Sequence, residues 1–219
     1  MTAKETLSQL VHIDSVSSRS NAGIISYLAK RCEAIGLLLR HLPYTDDAGV
    51  EKLNLIALAG VESAKAAEVE LALVGHTDTV PYDPAWKDAT NLVEQDGKLY
   101  GRGACDTKAF IAAALTALAS LDLKALRRPL ALVFTADEEL GLFGAKHLAA
   151  ARALHPRYAI VGEPTSLQPM RAGKGYCLST VTVRGTEAHS AYPTIGAPPE
   201  RSPMRQMLDK RCAPLVRAR

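Results

Sequence analysis

Apolar residues recur at helical spacing within residues 2–14 (Leu7, Leu10, Val11) and within 21–36 (Ile24, Ile25, Leu28, Cys32, Ile35). Each pattern predicts an amphipathic helix, the second one stopping at Gly36. Short apolar runs at 37–42, 53–59 and 69–75 predict strands. Residues 107–121 are apolar nearly all round, with alanines between Phe110, Ile111, Leu115, Leu118 and Leu121, which predicts a helix sandwiched inside a layered protein. A continuous apolar strand at 130–136, a helix at 143–154 and a short strand at 158–161 extend the alternation. Strands alternating with helices predict an α/β fold, a mixed and largely parallel sheet with helices on both faces. Near residue 170 the character changes. Residues 176–184 alternate with period two and are rich in β-branched side chains, the pattern of a half-exposed strand in a separate antiparallel sheet. After Ala197 the pattern dissolves into prolines and short basic stretches, with too few apolar anchors to offset the ordering of the backbone.

Composition narrows the class. With 47% hydrophobic and 22% charged residues the chain is not a disordered polyelectrolyte. No apolar run approaches the roughly 18 residues of a membrane span. The four cysteines form no C-x-x-C pair, so neither a disulfide framework nor a thiolate zinc site is indicated. The opening Met-Thr-Ala-Lys-Glu lacks the layout of a secretory signal, and the expectation is a reduced, cytoplasmic protein. Residues 198–219 hold six basic and two acidic side chains, which accounts for the formal charge of +3 and leaves the rest near neutral. A near-neutral body argues against a nucleic-acid partner.

Four segments carry candidate chemistry, each at or next to a predicted strand end, where α/β sheets assemble their sites. In Gly75-His76-Thr77-Asp78, residues i and i+2 of an extended chain share a side, so Asp78 can orient the His76 imidazole as a carboxylate does for a metal-binding histidine. Two polar residues in a turn is the plain alternative. Gly101-Arg-Gly-Ala-Cys-Asp-Thr-Lys108 opens the apolar helix, and taken alone Asp106 reads more readily as its cap. Asp137-Glu138-Glu139 places three mutually repelling acids at a strand end, which points to a cation or a shifted pKa. Glu163, in Gly162-Glu-Pro-Thr165, is one more acid just past a short strand. One imidazole and several oxygen donors suit zinc, cobalt or manganese better than calcium.

The ordered set G-H-T-D-T-V-P, G-R-G-x-x-D-x-K, D-E-E-x-x-x-x-G-A and G-E-P-T closely resembles the M20 metallopeptidase and deacylase family, from about residue 5 to Ala197. Within it, residues 161–175 are most similar to the members that deacetylate N-acetyl-L-ornithine. The resemblance implies a catalytic domain with two zinc or cobalt ions. It makes His76 and Glu163 ligands of one ion, Glu139 a ligand of the other and Asp106 the bridge, with Asp78 holding the His76 ring. Glu138 becomes the general base that takes a proton from water and returns it to the leaving amine. His189 matches a lid histidine that reaches the partner's site in a homodimer. The same groups would serve another N-acyl amino acid or a dipeptide.

The implied organisation is residues 1–172 as the N-terminal part of the catalytic domain, 173–197 as the beginning of a lid and dimerisation domain, and 198–219 as an atypical Pro/Arg-rich tail. Relatives continue past residue 198 and supply a second histidine ligand, so the tail resembles the product of a shifted reading frame or a truncated gene. The expectation is then one tightly held metal, a second that dialyses away, and weakened activity and dimerisation. A fragment that keeps one metal site and no catalysis is the contrasting reading.

Overall fold

The computed structural model describes residues 1–173, and Met1–Pro169 form one compact unit. Two helices, α1 (Ala3–His12) and α2 (Ala22–Ala34), precede three strands, β1 (Leu38–Thr45), β2 (Glu51–Ala59) and β3 (Glu68–His76). A short hairpin of β4 (Val93–Gln95) and β5 (Lys98–Tyr100) leads to α3 (Ala109–Ala119), β6 (Leu130–Thr135), α4 (Phe143–Ala150) and β7 (His155–Val161). α1 begins at a reciprocal cap in which Thr2 and Glu5 satisfy each other's backbone amides, the signature of a helix start. The strand expected at 176–184, the lid expected at 173–197 beyond its first residue, His189 and the 198–219 tail lie outside the described residues. No helix among the described residues is long and apolar enough to cross a membrane.

The five main strands lie in the order β1-β2-β6-β3-β7. β6 runs parallel to β3 and β3 parallel to β7, whereas β1-β2 and β2-β6 are antiparallel. The sheet is mixed, and its parallel half is the part that matters for the site. Alternation sorts β2 and β6 onto two cores. Leu55, Ala57, Leu132 and Phe134 face α1, α2 and α3, while Ile56, Leu58, Ala131 and Val133 face the side of α4. Two buried faces explain why these strands read as unbroken apolar runs.

Two expectations need correction. α3 is not sandwiched: it buries Ile111, Ala112, Ala114, Leu115 and Leu118, while Ala113, Ala117 and Ala119 are exposed. Alanine favours helix wherever it sits, so an alanine-rich helix looks apolar all round even when one side faces water. The β4–β5 hairpin escaped the sequence pattern because its strands have three residues each, too few for a period. Its signal is the Asp96-Gly97 turn, both residues with positive φ, the pair that a two-residue hairpin of the I′ type demands.

Gly144, in the first turn of α4, sits against the end of β6. A Cβ there would fall on the Ala136 carbonyl oxygen and on Asn54 Oδ1. Asn54 already spans the contact, accepting from Ala136 N at 3.1 Å and donating to the Gly144 carbonyl at 3.1 Å. Gly144→Ala should therefore destabilise by about 2–3 kcal/mol, the upper part of the overpacking range, because the obstructing atoms are mostly backbone. A melting curve checks this, and an unchanged midpoint would show that α4 can slide.

Candidate metal centre

Register brings the site together. His76 pairs with Thr135 across β3 and β6, and Val74 with Val161 across β3 and β7, so the C-terminal ends of three parallel strands finish within two residues of one another. His76 is central, Asp137–Glu139 follow β6 on one side, and Glu163 follows β7 on the other.

His76 is buried, and both ring nitrogens are engaged. Nδ1 faces the Asp78 main-chain carbonyl at 3.0 Å and its carboxylate at 3.5 Å; Nε2 faces Asp106 Oδ1 at 2.9 Å. The ring is thus held first by a carbonyl, which can only accept, and the proton at Nδ1 is assigned by that partner. The Asp78 carboxylate has a wider role than the sequence implied. It accepts from Ser17 Oγ at 2.8 Å and from the backbone N–H groups of Glu138 and Glu139 at 3.1 and 3.2 Å. Burial alone would raise the Asp78 pKa, but hydrogen bonds from His76, Ser17 and Glu138 outweigh it and hold the carboxyl below its usual value. One buried carboxylate thereby ties the imidazole to the acidic turn.

Asp106 lies in a wide turn, Ala104–Lys108, that opens α3. No side-chain cap starts α3, so Asp106 is not its cap; its carboxylate points to His76 instead. The turn is pinned on both sides, by Thr107 Oγ1 donating to the His76 carbonyl at 3.0 Å and by the buried Lys108 ammonium donating to the Ile13 carbonyl at 3.0 Å. The Asp106–Thr107 peptide is cis.

The three adjacent acids divide. Asp137, with φ +53°, turns inward and is buried against Lys52 and Tyr44, while Glu138 and Glu139 remain at the site. Neither Lys52 nor Tyr44 stood out in the sequence, because nothing in the strand pattern marks a buried lysine. Ser17 was missed in the same way; it reaches Asp78 from a loop distant in sequence.

Ligand atoms of His76, Asp106 and Glu139 lie within 4.8 Å of one another. Glu163 is not part of this trio, although the resemblance grouped it with His76 and Asp106. Coming from the strand on the far side of β3, it stands close enough for its carboxyl to feel His76, Asp106, Glu138 and Glu139. Burial lifts the carboxyls of Glu138, Glu139 and Glu163 above their ordinary values, and neighbouring carboxylates add to the rise. Burial works the other way on His76, yet its hydrogen bonds to Asp78 and Asp106 prevail and lift the imidazole to about 9. Several carboxyls crowded around one imidazole are a set whose charge a divalent cation balances, and imidazole with carboxylate oxygens suits zinc or cobalt.

A metal ion must displace the proton at His76 Nε2. Below pH 9 that proton competes, so apparent affinity should climb about tenfold per pH unit between pH 6 and 8. The metal-free fold has the opposite trend. A value raised from 6.5 stabilises below 6.5, and that contribution is lost as pH rises toward 9. Cobalt titrations at pH 6, 7 and 8 check the first statement; a flat profile would mean that the imidazole is already neutral.

Sheet and site together define an α/β protein with a candidate metal centre at the ends of its parallel strands. The chain belongs to peptidase family M20/M25/M40, whose model matches residues 72–213. It is 54% identical over 194 residues to a Myxococcus xanthus protein named acetylornithine deacetylase, covering 89% of this chain and 50% of the relative. A Proteus mirabilis protein of the same name is 40% identical over 185 residues, 84% of this chain and 46% of that one. The chain thus spans about half the length of the curated relatives it matches. Among solved structures, human carnosine dipeptidase 1 (TM-score 0.58, 22% identity, 73% of this chain and 37% of that one) shares the fold. So does a Staphylococcus aureus tripeptidase (TM-score 0.57, 24% identity, 89% and 52%).

Proposed function

We propose that this chain carries the metal site of an amide hydrolase that converts N-acetyl-L-ornithine and water to L-ornithine and acetate. The observation that carries the chemistry is the His76, Asp106 and Glu139 trio with Glu138 beside it on the same turn. The substrate rests on the relatives named acetylornithine deacetylase, at 54% and 40% identity.

His76, Asp106 and Glu139 would hold a divalent ion, zinc or cobalt, with Glu163 available from the β7 side. Such an ion supplies positive charge where an oxyanion develops on the amide carbonyl. The rest is work for the chain's own side chains. Glu138, whose carboxyl is held above its ordinary value by burial, takes a proton from the attacking water and delivers it to the departing amine. Asp78 keeps the His76 ring and the Glu138–Glu139 backbone in one arrangement, so that base and ligand stay side by side. We further take residues 1–172 as part of the catalytic domain and His189 as a substrate contact.

The test is amine release from a panel of N-acetyl-L-ornithine, other N-acetyl amino acids and dipeptides, using chain loaded with zinc or cobalt and with its metal content measured. Ornithine released fastest supports the reading. Preference for another N-acyl amino acid or a dipeptide would overturn the substrate, and no release by metal-loaded chain would overturn the activity.

A further inference from the structure

Behind the acidic turn lies a buried polar network that the hydrolytic reading does not use. The Asp137 carboxylate is buried and fully engaged: Oδ1 accepts from Lys52 Nζ at 2.9 Å and Oδ2 from the Tyr44 hydroxyl at 2.7 Å. Lys52, also buried, spends its other protons on the carbonyls of Ser17 at 2.5 Å and Arg19 at 2.8 Å. The Tyr44 ring stacks on His147 of α4, with centroids 5.1 Å apart and planes 28° from parallel. Burial and the Asp137 carboxylate together push the Tyr44 phenol well above its usual range, so its proton stays available to donate.

The location of these bonds is informative. Asp137 occupies the left-handed region, φ +53°, a conformation that costs a non-glycine residue energy unless its surroundings enforce it. Its side chain points one way, to Lys52 and Tyr44, while the next two backbone amides are drawn the other way, to Asp78. The turn is gripped from both sides. Lys52 also holds Ser17 by its carbonyl, and the Ser17 hydroxyl donates to the same Asp78 carboxylate. A closed circuit results, Lys52 to Asp137, along the turn to Glu138 and Glu139, across to Asp78, and back through Ser17 to Lys52. A salt bridge so deeply buried is a weak source of net stability, because desolvating two charges offsets their attraction. Its position fits direction better than strength.

We propose that Asp137, Lys52 and Tyr44 are positioning residues that aim Glu138 and Glu139 at the metal centre by locking Asp137 in its left-handed conformation. The proposal rests on the metal-centre reading above and adds residues that do not touch metal or substrate. Outer partners of metal ligands commonly contribute 10–100-fold in affinity, and the effect expected here is of that size.

The test uses the whole chain in three variants. Tyr44→Phe removes one hydroxyl, and Asp137→Asn keeps the shape and tolerates left-handed φ. Asp46→Asn alters another carboxylate facing Lys52, at 3.7 Å, that has no bond to the 137–139 turn. Cobalt titration followed by visible absorption is the readout, with circular dichroism and melting curves on the same samples. We expect folded Tyr44→Phe and Asp137→Asn to bind cobalt about 10–100-fold more weakly with an altered visible band, and Asp46→Asn to match wild type. Wild-type cobalt affinity and spectrum in both of the first two, with only the melting temperature lowered, would reduce the network to a structural role and overturn the proposal. Should Asp137→Asn fail to fold, Tyr44→Phe decides alone. Wild-type chain that binds no cobalt would instead overturn the metal-centre reading itself.

Discussion

Glu138→Ala should leave metal uptake intact and remove hydrolysis by about 100- to 10,000-fold, the contribution of a positioned general base. Glu138 follows the left-handed Asp137 and precedes Glu139, yet only Glu139 belongs with His76 and Asp106 in the trio that can share an ion. Its carboxyl is partly withdrawn from water, and that burial moves its pKa upward, closer to the pH at which a base must work. Neighbouring Asp78 and Asp106 push the same way, while His76 opposes them. On the proposed roles, removing the side chain takes away a proton acceptor and no ligand. Metal content and turnover, measured on the same preparation, separate the alternatives. A variant that lost its metal but kept full turnover per bound ion would exchange the roles of Glu138 and Glu139.

The second large effect is expected at His76, where substitution by alanine should abolish metal retention through dialysis and lower affinity by at least about 100-fold, beyond what outer partners contribute. The ring is the only nitrogen donor in the trio and stands between Asp106 on one side and Asp78 on the other. Without it, Asp106 and Glu139 are left as two carboxylates with no imidazole, a poor site for zinc. Wild-type chain should be stabilised by about 2.7 kcal/mol when the ion is present at a hundred times its dissociation constant, and His76→Ala should show no such gain. Melting curves with and without zinc, beside elemental analysis of dialysed samples, measure both quantities. Retention of one ion by the variant would locate the ion elsewhere, with Glu163 the first residue to examine.

Much of this is legible in the sequence alone. Helices α1 and α2 and strands β2, β3 and β6 stand where periodicity and apolar runs predicted them, because each buries a stripe or a face against the same two cores. The Asp137–Glu139 cluster could be singled out because adjacent acids at a strand end have no packing reason to be there, whereas His76, Asp106 and the separate role of Glu138 were marked by the ordered motifs and the family they resemble. Local sequence could not reveal which acid faces which way. Asp106 read as a helix cap and instead meets His76; Asp137 read as one of three equal acids and instead faces a buried lysine.

What the sequence by itself determined was the alternation of strands and helices, the chemistry at the strand ends and the family, since these depend on period and on residues close together along the chain. The tertiary structure decided that only half the sheet is parallel, that Glu139 lies within 4.8 Å of His76 and Asp106, and that Ser17, Lys52 and Tyr44 stand behind them. Those facts depend on register and on contacts across as many as 93 residues of separation, between Tyr44 and Asp137. A side chain's partner at that distance is set by how strands pair and which way a turn is forced, and neither leaves a local periodic mark in the sequence.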